Sequence, residues 1–330
     1  MNTKIICLTP TKNEGWILDK FLACASLWAD HIIISDQSST DDTIEIARRC
    51  EKTIVIHNPS KDFDEVSMRQ GLLDEARKIV CDKRIIIYLD ADEILSANFQ
   101  DSAEWETIQN AAPGIFFKAQ CINIYPSIDH YFSPKMDFLI GFVDDNQSNF
   151  YGPSLHGWRL PYTHIKPYII LRDIKFLHFP YLNVARFTSK NNLYQCLQKI
   201  QIKMPIINIL RRYNIDTKLN VKSHPLPKEW IDGYKNRGID VSSESVSSEF
   251  YWWDYQVLEL FERYGTQYFD KLDIWHTDWT AVAKSKNMPY KQHKRSFVGK
   301  LLHTYERRTA EQSKNFIIRK VDNFLRVVIG

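Results

Sequence analysis

Hydrophobic positions along residues 1–95 follow two alternating patterns. Short apolar runs are typical of buried strands, and four of them occur here, in KIICLT, HIIIS, TIVIH and RIIIYL. Between these runs, residues 14–28, 39–50 and 65–80 carry apolar side chains at the spacing of amphipathic helices. Strands that alternate with helices of this length predict βαβ units and a largely parallel sheet.

The pattern becomes less regular after residue 100. Further strands are predicted in GIFFKAQCINIY and in KPYIILRDIKFLHF, the latter bent at Asp173. Residues 126–165 are rich in Pro, Gly, Asn and His and predict long functional loops. Helices are predicted over 183–212 and over the Trp-rich segment 251–285, separated by an irregular region. The Trp side chains of that segment could stack on a sugar acceptor, but their helical spacing favours a packed core.

Polar loops follow each of the first four predicted strands. Their sequences are TPTKNE, SDQSSTDDT, HNPSKDFDE and DADE, and two of them place Asp36 and Asp90 directly at a strand end. In an open parallel sheet, ligands bind beyond the carboxyl ends of the strands. The sequence contains neither GxGxxG nor GxxxxGK[ST], which excludes a dinucleotide fingerprint and a P-loop. Acidic strand ends without a glycine loop indicate that a metal ion binds the phosphates of a ligand.

The motif YLDADE carries the sharpest chemical signal. Asp90 and Asp92, two residues apart after an apolar strand, can project towards one cleft. Carboxylate oxygens suit Mg²⁺ or Mn²⁺, and such an ion can bind a diphosphate and stabilise it as a leaving group. The alternative interpretation is a solvated acidic loop that begins a helix.

Together, the turns TPTKNE and DQSSTDDT, a third helix bearing Arg69 and the motif YLDADE resemble the nucleotide-binding half of family 2 glycosyltransferases with the GT-A fold. Residues 1–95 match that family's elements in order and spacing. The resemblance implies an α/β, Rossmann-like GT-A domain over 1–182, with a mostly parallel central sheet flanked by helices. We expect a helical, Trp-rich extension on the acceptor side over 183–283 and a basic amphipathic segment over 284–330.

The resemblance also implies roles in binding the nucleotide sugar. Pro10, Thr11 and Glu14 would lie along the nucleotide, Asp36 would accept a hydrogen bond from the base, for example uracil N3–H, and Arg69 would lie near the base or the diphosphate. Structural alternatives remain for three of them: Glu14 as a helix cap, Asp36 as the start of a turn, and Arg69 as a surface residue. The commoner Asp-Asp-Gly turn of the family is replaced here by Asp-Gln-Ser, which weakens the inference about the donor nucleotide.

The same resemblance implies a metal site. Asp90 would face the ribose or the metal, and Asp92 would be the main ligand of Mn²⁺ or Mg²⁺. His178 follows a late predicted strand and would be a further ligand or a contact of the diphosphate. A single His after an apolar run can equally be a hydrogen-bonded structural residue.

The catalytic base is the least defined part of the predicted site. Inverting transfer needs a group that takes the proton of the acceptor hydroxyl, and in related enzymes it is an Asp or Glu well after the Asp-x-Asp motif. We predict Asp145 or Asp144 for this role, with His156 as the alternative, although FVDDNQSN can also be a plain turn. Glu93 is less favoured because it directly follows the metal motif.

The composition excludes several classes of protein and indicates an ordinary globular chain. An apolar content of 44% with 13% aromatic residues excludes a disordered chain, and a net charge of +3 over 330 residues argues against nucleic acid as a partner. Six cysteines without CxxC spacing indicate reduced thiols. The first apolar run is too short for a signal peptide, and no stretch approaches the ~20 apolar residues of a transmembrane helix. We therefore expect a cytoplasmic protein.

The near-neutral total hides an uneven distribution of charge. Residues 284–330 contain twelve Lys or Arg and three Asp or Glu, a net charge of +9, which leaves −6 for the preceding residues. The last predicted helix, NFIIRKVDNFLRVVI, combines apolar and basic side chains. Such a segment predicts docking to an anionic membrane surface, here the inner face of the cytoplasmic membrane. Packing on the protein and a dimer contact are equally open alternatives.

The resemblance therefore implies a metal-dependent, inverting glycosyltransferase of the hexosyltransferase type. The donor would be a UDP-sugar and the acceptor a hydroxyl of a growing surface glycan, such as a lipopolysaccharide or capsule precursor, free or lipid-linked. One alternative is a non-catalytic glycan-assembly protein with a degenerate site. A sugar-phosphate nucleotidyltransferase is less favoured, because TPTKNE lacks the glycines that such enzymes carry after the first strand.

Overall fold

The computed structural model describes residues 2–59, 64–134, 136–152, 158–161, 167–214, 219–242, 248–313 and 315–329. The chain divides into two compact units. The first unit consists of residues 1–182 and 223–246, and the second unit consists of residues 183–222 and 247–330.

Eleven strands of the described residues form the sheet of the first unit. They are β1 Thr3–Thr11, β2 His31–Asp36, β3 Thr53–His57, β4 Lys83–Tyr88, β5 Glu93–Leu95, β6 Phe116–Ile124, β7 His130–Phe132, β8 Asp137–Val143, β9 Tyr168–Ile170, β10 Phe176–His178 and β11 His224–Pro225. The main order is β11-β7-β6-β8-β4-β1-β2-β3, while β9 and β10 pair with β6 and β5 pairs with β10. Strands β4, β1, β2 and β3 are parallel neighbours, and β8 lies antiparallel between β4 and β6.

Eleven helices accompany these strands in the described ranges of both units. They are α1 Leu18–Ala25, α2 Thr43–Arg49, α3 Glu65–Arg77, α4 Ala103–Asn110, α5 Val184–Leu197, α6 Ile206–Tyr213, α7 Asp232–Lys235, α8 Trp252–Tyr264, α9 Trp279–Ser285, α10 Phe297–Thr309 and α11 Phe316–Val328. The first four and α7 belong to the first unit, and the others to the second.

The period-two alternation of β1 explains why helices cover both faces of the sheet. Ile5 and Cys7 belong to a buried cluster that also contains the apolar face of α1, whereas Ile6 and Leu8 belong to a second cluster with α3. Each fully buried Ile or Leu side chain stabilises the fold by about 1.5–3 kcal/mol. The predicted α/β class, with a mostly parallel central sheet and C-terminal helices, is confirmed.

Strand β8 corrects the expectation of long loops over residues 126–165. The segment DFLIGFV forms a seven-residue strand in the middle of the sheet. Its Gly141 lies close to β4, since a Cβ atom there would be 2.6 Å from the carbonyl oxygen of Ile86. A side chain at this position would push the two strands apart, which explains the glycine inside an otherwise apolar run.

The second unit packs its aromatic residues in its own core. Trp253 and Trp279 are 1% and 2% exposed, and Trp275 stacks on Phe261 with ring centroids 5.3 Å apart. This burial favours the core role of the Trp-rich segment over stacking on a sugar. None of the helices in the described residues has both the length and the apolar character needed to cross a bilayer.

Candidate functional site

The parallel pairing of β2, β1 and β4 brings three strand ends to one edge of the sheet, called here the carboxyl edge. Thr11 of β1 lies in register with Asp36 of β2, and Leu8 lies in register with Tyr88 of β4. Asp36 and Asp90 therefore flank the end of β1, about two strand spacings or ~10 Å apart. An elongated polar ligand can contact both positions at once.

The carboxylate of Asp36 is fixed by its own turn. It accepts hydrogen bonds from Thr11 Oγ1 at 3.2 Å, from the backbone N–H of Ser39 at 3.0 Å and from Ser39 Oγ at 2.5 Å. Ser38 makes this turn possible by adopting a left-handed φ of 57°. The side chain is thus both a turn residue and an oriented acceptor at the carboxyl edge, so the two interpretations of Asp36 are compatible.

The turn after β1 is tied to the loop before α2 and to the first residue of α2. The backbone N–H of Asn13 donates to Ser39 Oγ and that of Glu14 donates to Thr43 Oγ1, each at 2.8 Å. The carboxylate of Glu14 accepts a hydrogen bond from Trp16 Nε1 at 2.6 Å. Pro10, half-buried, completes the strand end. These contacts give Glu14 a local structural partner, and its contact with a nucleotide stays a prediction.

Arg69 of α3 reaches the carboxyl edge from one face of the sheet. Its guanidinium lies 3.0 Å from Glu65 Oε2, and it donates to the Tyr88 hydroxyl at 3.3 Å and to the Trp158 carbonyl at 3.1 Å. Burial raises the pKa of Tyr88, so the hydroxyl is neutral. Arg69 is therefore held beside the end of β4 and is not a free surface residue.

Asp92 and His178 meet at the same edge although 86 residues separate them. Strand β10 pairs with both β5 and β6, which places His178 opposite Glu93 on one side and opposite Asn123 on the other. His178 Nε2 lies 3.9 Å from Asp92 Oδ1, and His178 Nδ1 lies 2.8 Å from Asn123 Oδ1. Both predicted metal ligands thus face a common space.

The donor set of this pair fits a hard divalent cation. The amide oxygen of Asn123 accepts the proton of His178 Nδ1, so Nε2, the nitrogen that faces the Asp92 carboxylate, is the one that a metal ion would use. No group of three or more His, Cys, Asp or Glu side chains forms a metal site among the described residues. Two protein ligands suit Mg²⁺ or Mn²⁺ bound jointly by protein and substrate phosphates, not an ion enclosed by protein alone.

An ion pair between Arg159 and Glu93, which the sequence does not predict, holds the acidic motif in position. Arg159 donates through both terminal nitrogens to the two oxygens of Glu93, each at 2.6 Å, and lies 3.5 Å from Asp90 Oδ2. Glu93 Oε2 also accepts the backbone N–H of Asp90 at 3.0 Å. Burial raises the pKa of Glu93, and the guanidinium opposes that rise. Glu93 therefore positions Asp90. In the sequence, the one sign of this ion pair is the Glu that ends the motif DADE.

The two residues predicted as the catalytic base lie elsewhere. Strand β8 runs antiparallel to β4, and the N–H of Asp144 donates to the carbonyl of Arg84 near the start of β4. Six residues separate Arg84 from Asp90, which corresponds to about 20 Å along a strand. This position argues against contact of Asp144 or Asp145 with a sugar at the carboxyl edge.

Both of these acids have structural partners. Asp144, whose side chain is 0% exposed, pairs with Arg77 at 2.9 Å and with Arg84 at 3.0 Å. Asp145 accepts the N–H groups of Gln147 and Ser148, as an acid does in a turn. His156, the alternative base, lies outside the described residues.

A different acid–histidine pair stands beyond the end of β6, on the side of the carboxyl edge. Asp129 Oδ1 lies 3.0 Å from His130 Nδ1 and accepts a hydrogen bond from Ser127 Oγ at 2.6 Å. These two hydrogen bonds lower the pKa of Asp129 to about 2. The carbonyl of His130 accepts a hydrogen bond from the N–H of Tyr125, which is two residues beyond Asn123. The Asp129–His130 pair therefore lies ~7 Å beyond the Asn123–His178 contact in the direction of β6.

Residues 7–157 match the family model described as Glycosyl transferase family 2. No curated protein matches the chain. Among solved structures, glucosyl-3-phosphoglycerate synthase from Mycobacterium tuberculosis with Mn²⁺, UDP and glucosyl-3-phosphoglycerate is 19% identical, at a TM-score of 0.27 over 37% of this chain and 44% of that chain.

A second mycobacterial protein is 17% identical, at a TM-score of 0.27 over 36% of this chain and 41% of that chain. A 4-diphosphocytidyl-2C-methyl-D-erythritol synthase is 11% identical, with a TM-score of 0.27 over 44% of this chain and 73% of that one. The overlap spans less than half of the mycobacterial chains, and TM-scores this low carry no argument about activity.

Proposed function

We propose that this chain is a metal-dependent glycosyltransferase that moves a sugar from a nucleotide-sugar donor to an acceptor hydroxyl. One observation carries the proposal: the segment matching glycosyl transferase family 2 supplies Asp36, Arg69, Asp90 and Asp92, and all four reach one edge of the sheet. His178, from outside that segment, joins Asp92 there.

The donor is proposed to be a UDP-sugar lying across the ends of β2, β1 and β4. Asp36 would accept a hydrogen bond from an N–H of the nucleotide base, since its carboxylate is already oriented by Thr11 and Ser39. Asp90 lies about 10 Å away, on the far side of β1, where a ribose or diphosphate would follow. Arg69, beside the end of β4, supplies positive charge near that position.

Asp92 and His178 would hold Mn²⁺ or Mg²⁺. Such an ion would neutralise the diphosphate and make it a better leaving group. The protein's own contribution is orientation: Asn123 fixes the tautomer of His178, and Arg159 with Glu93 fixes Asp90. Preorganised groups of this kind act without reorganisation during the reaction.

The acceptor-side base is proposed to be His130, oriented by Asp129. A base whose ring contacts a carboxylate is the arrangement that general-base catalysis uses. The pair is exposed, and it lies at the same end of β6 as Asn123. His130→Gln should lower kcat about 100-fold and leave the affinity for UDP unchanged. Asp145→Asn, at the opposite end of the sheet, is the matched control and should leave both constants unchanged.

The acceptor is proposed to be a growing surface glycan, and the transfer is proposed to invert the anomeric configuration. Both statements rest on the resemblance to family 2 enzymes. The side of the sheet that carries β6, β7 and β11 is where we expect the acceptor, because the proposed base lies there.

A screen of nucleotide sugars tests the proposal most broadly. The protein is incubated with UDP- and GDP-sugars and Mn²⁺, and nucleotide release is measured with and without glycan acceptors. We expect slow release from one UDP-sugar and faster release once the right acceptor is present. Absence of nucleotide binding would instead support a non-catalytic assembly protein. Release of pyrophosphate from a nucleoside triphosphate and a sugar phosphate would identify a nucleotidyltransferase.

A further inference from the structure

Helix α11 exposes its apolar side chains. The exposed fractions are 70% for Phe316, 68% for Ile317, 63% for Phe324, 84% for Val327 and 60% for Val328. At ~100° per residue, these five positions fall within a sector of about 120° on the helix surface. A helix of a globular protein normally turns such a stripe towards the core.

The opposite side of α11 carries Asp322, the one buried residue of this helix. Asp322 is 6% exposed and lies about 160° around the helix from Phe324. Its carboxylate pairs with Arg211 of α6 at 3.1 Å and accepts the hydroxyl of Tyr305 of α10 at 2.8 Å. The helix is therefore anchored to its own unit by charge and hydrogen bonds, with the apolar face turned outwards.

Helix α10 shares this arrangement at its start. Phe297, Val298 and Leu301 are 79%, 44% and 56% exposed. Its buried side includes Glu306, which accepts hydrogen bonds from Asn214 at 2.9 and 2.8 Å. Exposed apolar residues in this number, on consecutive helices, mark an interaction surface and not an ordinary protein exterior.

The exposed charges around these apolar faces are mostly positive. Of the three acids in residues 284–330, Glu306 and Asp322 point inwards, and Glu311 is the exposed one. The exposed basic residues on the two helices are Lys300, Arg307, Arg308, Arg319, Lys320 and Arg326. A partner that matches both properties has an apolar interior below an anionic surface.

We propose that the outer faces of α10 and α11 dock onto an anionic lipid bilayer, with the apolar side chains inserted at the level of the headgroups. Apolar side chains flanked by Lys and Arg are the composition of helices that lie in the plane of a membrane interface. Each basic residue near an anionic leaflet adds to the attraction, and salt weakens it. This proposal does not depend on the proposed reaction.

Co-sedimentation of the full chain with lipid vesicles tests the proposal. We expect binding to vesicles of phosphatidylcholine mixed with phosphatidylglycerol and little binding to phosphatidylcholine alone. Raising the salt concentration should weaken the binding. The double variant Phe324→Ser/Val327→Ser should bind about tenfold more weakly or worse. The double variant Arg319→Gln/Lys320→Gln should bind anionic vesicles several-fold more weakly, because each lost positive charge removes part of the attraction.

Val80→Ser is the matched control, because Val80 is 91% exposed but belongs to the first unit. It should bind vesicles as the unaltered chain does, and all variants should unfold at the same denaturant concentration. Vesicle binding that survives the Phe324/Val327 change would overturn the proposal. So would a dimer in lipid-free buffer that dissociates in this variant, because the face would then cover a second copy of the chain.

Discussion

Two acidic pairs stand at opposite ends of the same sheet, and their surroundings differ. Asp90 and Asp92 follow β4 at the carboxyl edge, whereas Asp144 and Asp145 follow β8 near the start of β4. The side chain of Asp144 is 0% exposed and pairs with two arginines, while that of Asp90 is 41% exposed and lies 3.5 Å from one. A carboxylate with saturated partners stabilises the fold, whereas a partly solvated one can contact a ligand.

The difference lies in where the counter-charges come from. At the start of β4, Arg77 and Arg84 point directly at Asp144. At the carboxyl edge, Arg159 is engaged mainly by Glu93, and the Asp92 carboxylate faces the ring nitrogen of His178. In the second arrangement, His178 Nε2 and Asp92 Oδ1 lie 3.9 Å apart, and the proposed metal ion would bind between them.

The largest effect should follow from Asp92→Asn. Loss of the carboxylate charge at the proposed metal position should lower the rate of sugar transfer about 10³-fold or more. Steady-state assays over a range of Mn²⁺ concentrations measure it. Asp145→Asn makes the same chemical change at the other end of the sheet and should alter the rate less than twofold. Equal losses in both variants would contradict the distinction between the two pairs.

For the stability of the fold, the larger loss should instead follow from Asp144→Asn. Removing this carboxylate takes away the negative charge that Arg77 and Arg84 share, which should lower the free energy of unfolding by about 3 kcal/mol. Urea denaturation followed by circular dichroism measures the change. Asp90→Asn is the comparison and should cost less than 1 kcal/mol because its side chain is partly solvated. A stable Asp144→Asn protein would show that the buried pair is not needed.

A smaller effect is expected for Asn123→Leu. Leucine has no oxygen to accept the hydrogen bond from His178 Nδ1, so the orientation and tautomer of that ring are no longer fixed. The affinity for Mn²⁺ in the presence of UDP should therefore fall 10- to 100-fold. Titration calorimetry measures the affinity, and unfolding by urea serves as the control for folding. An unchanged affinity would mean that His178 does not contact the metal.

The smallest effect is expected for Thr11→Val. The change removes one of three hydrogen bonds to Asp36 and keeps the shape of the side chain, so UDP binding should weaken about fivefold, near 1 kcal/mol. Competition binding against a fluorescent nucleotide can detect this. Thr40→Val, in the same turn but directed at Asn13, is the matched control and should leave UDP binding unchanged.

The sequence predicts which end of the sheet carries Asp90 and Asp92 but not which end carries Asp144 and Asp145, for a topological reason. Strands β1, β2 and β4 are parallel, so their carboxyl ends meet at one edge, and the position of Asp90 follows from the alternating pattern alone. Strand β8 was not predicted, and because it is antiparallel its end lies at the far edge. The Glu93–Arg159 contact joins residues 66 apart, and only its Glu93 half lies in the acidic motif.

Calorimetric titration of UDP with and without Mn²⁺ tests the central claim most directly. In the unaltered chain and in Asp145→Asn, UDP should bind when Mn²⁺ is present and at least tenfold more weakly in excess chelator. In Asp92→Asn, Mn²⁺ should no longer improve the binding. UDP binding of equal strength with and without the metal, or a Mn²⁺ effect that persists in Asp92→Asn, would contradict the assignment of the carboxyl edge as a metal-dependent nucleotide-sugar site.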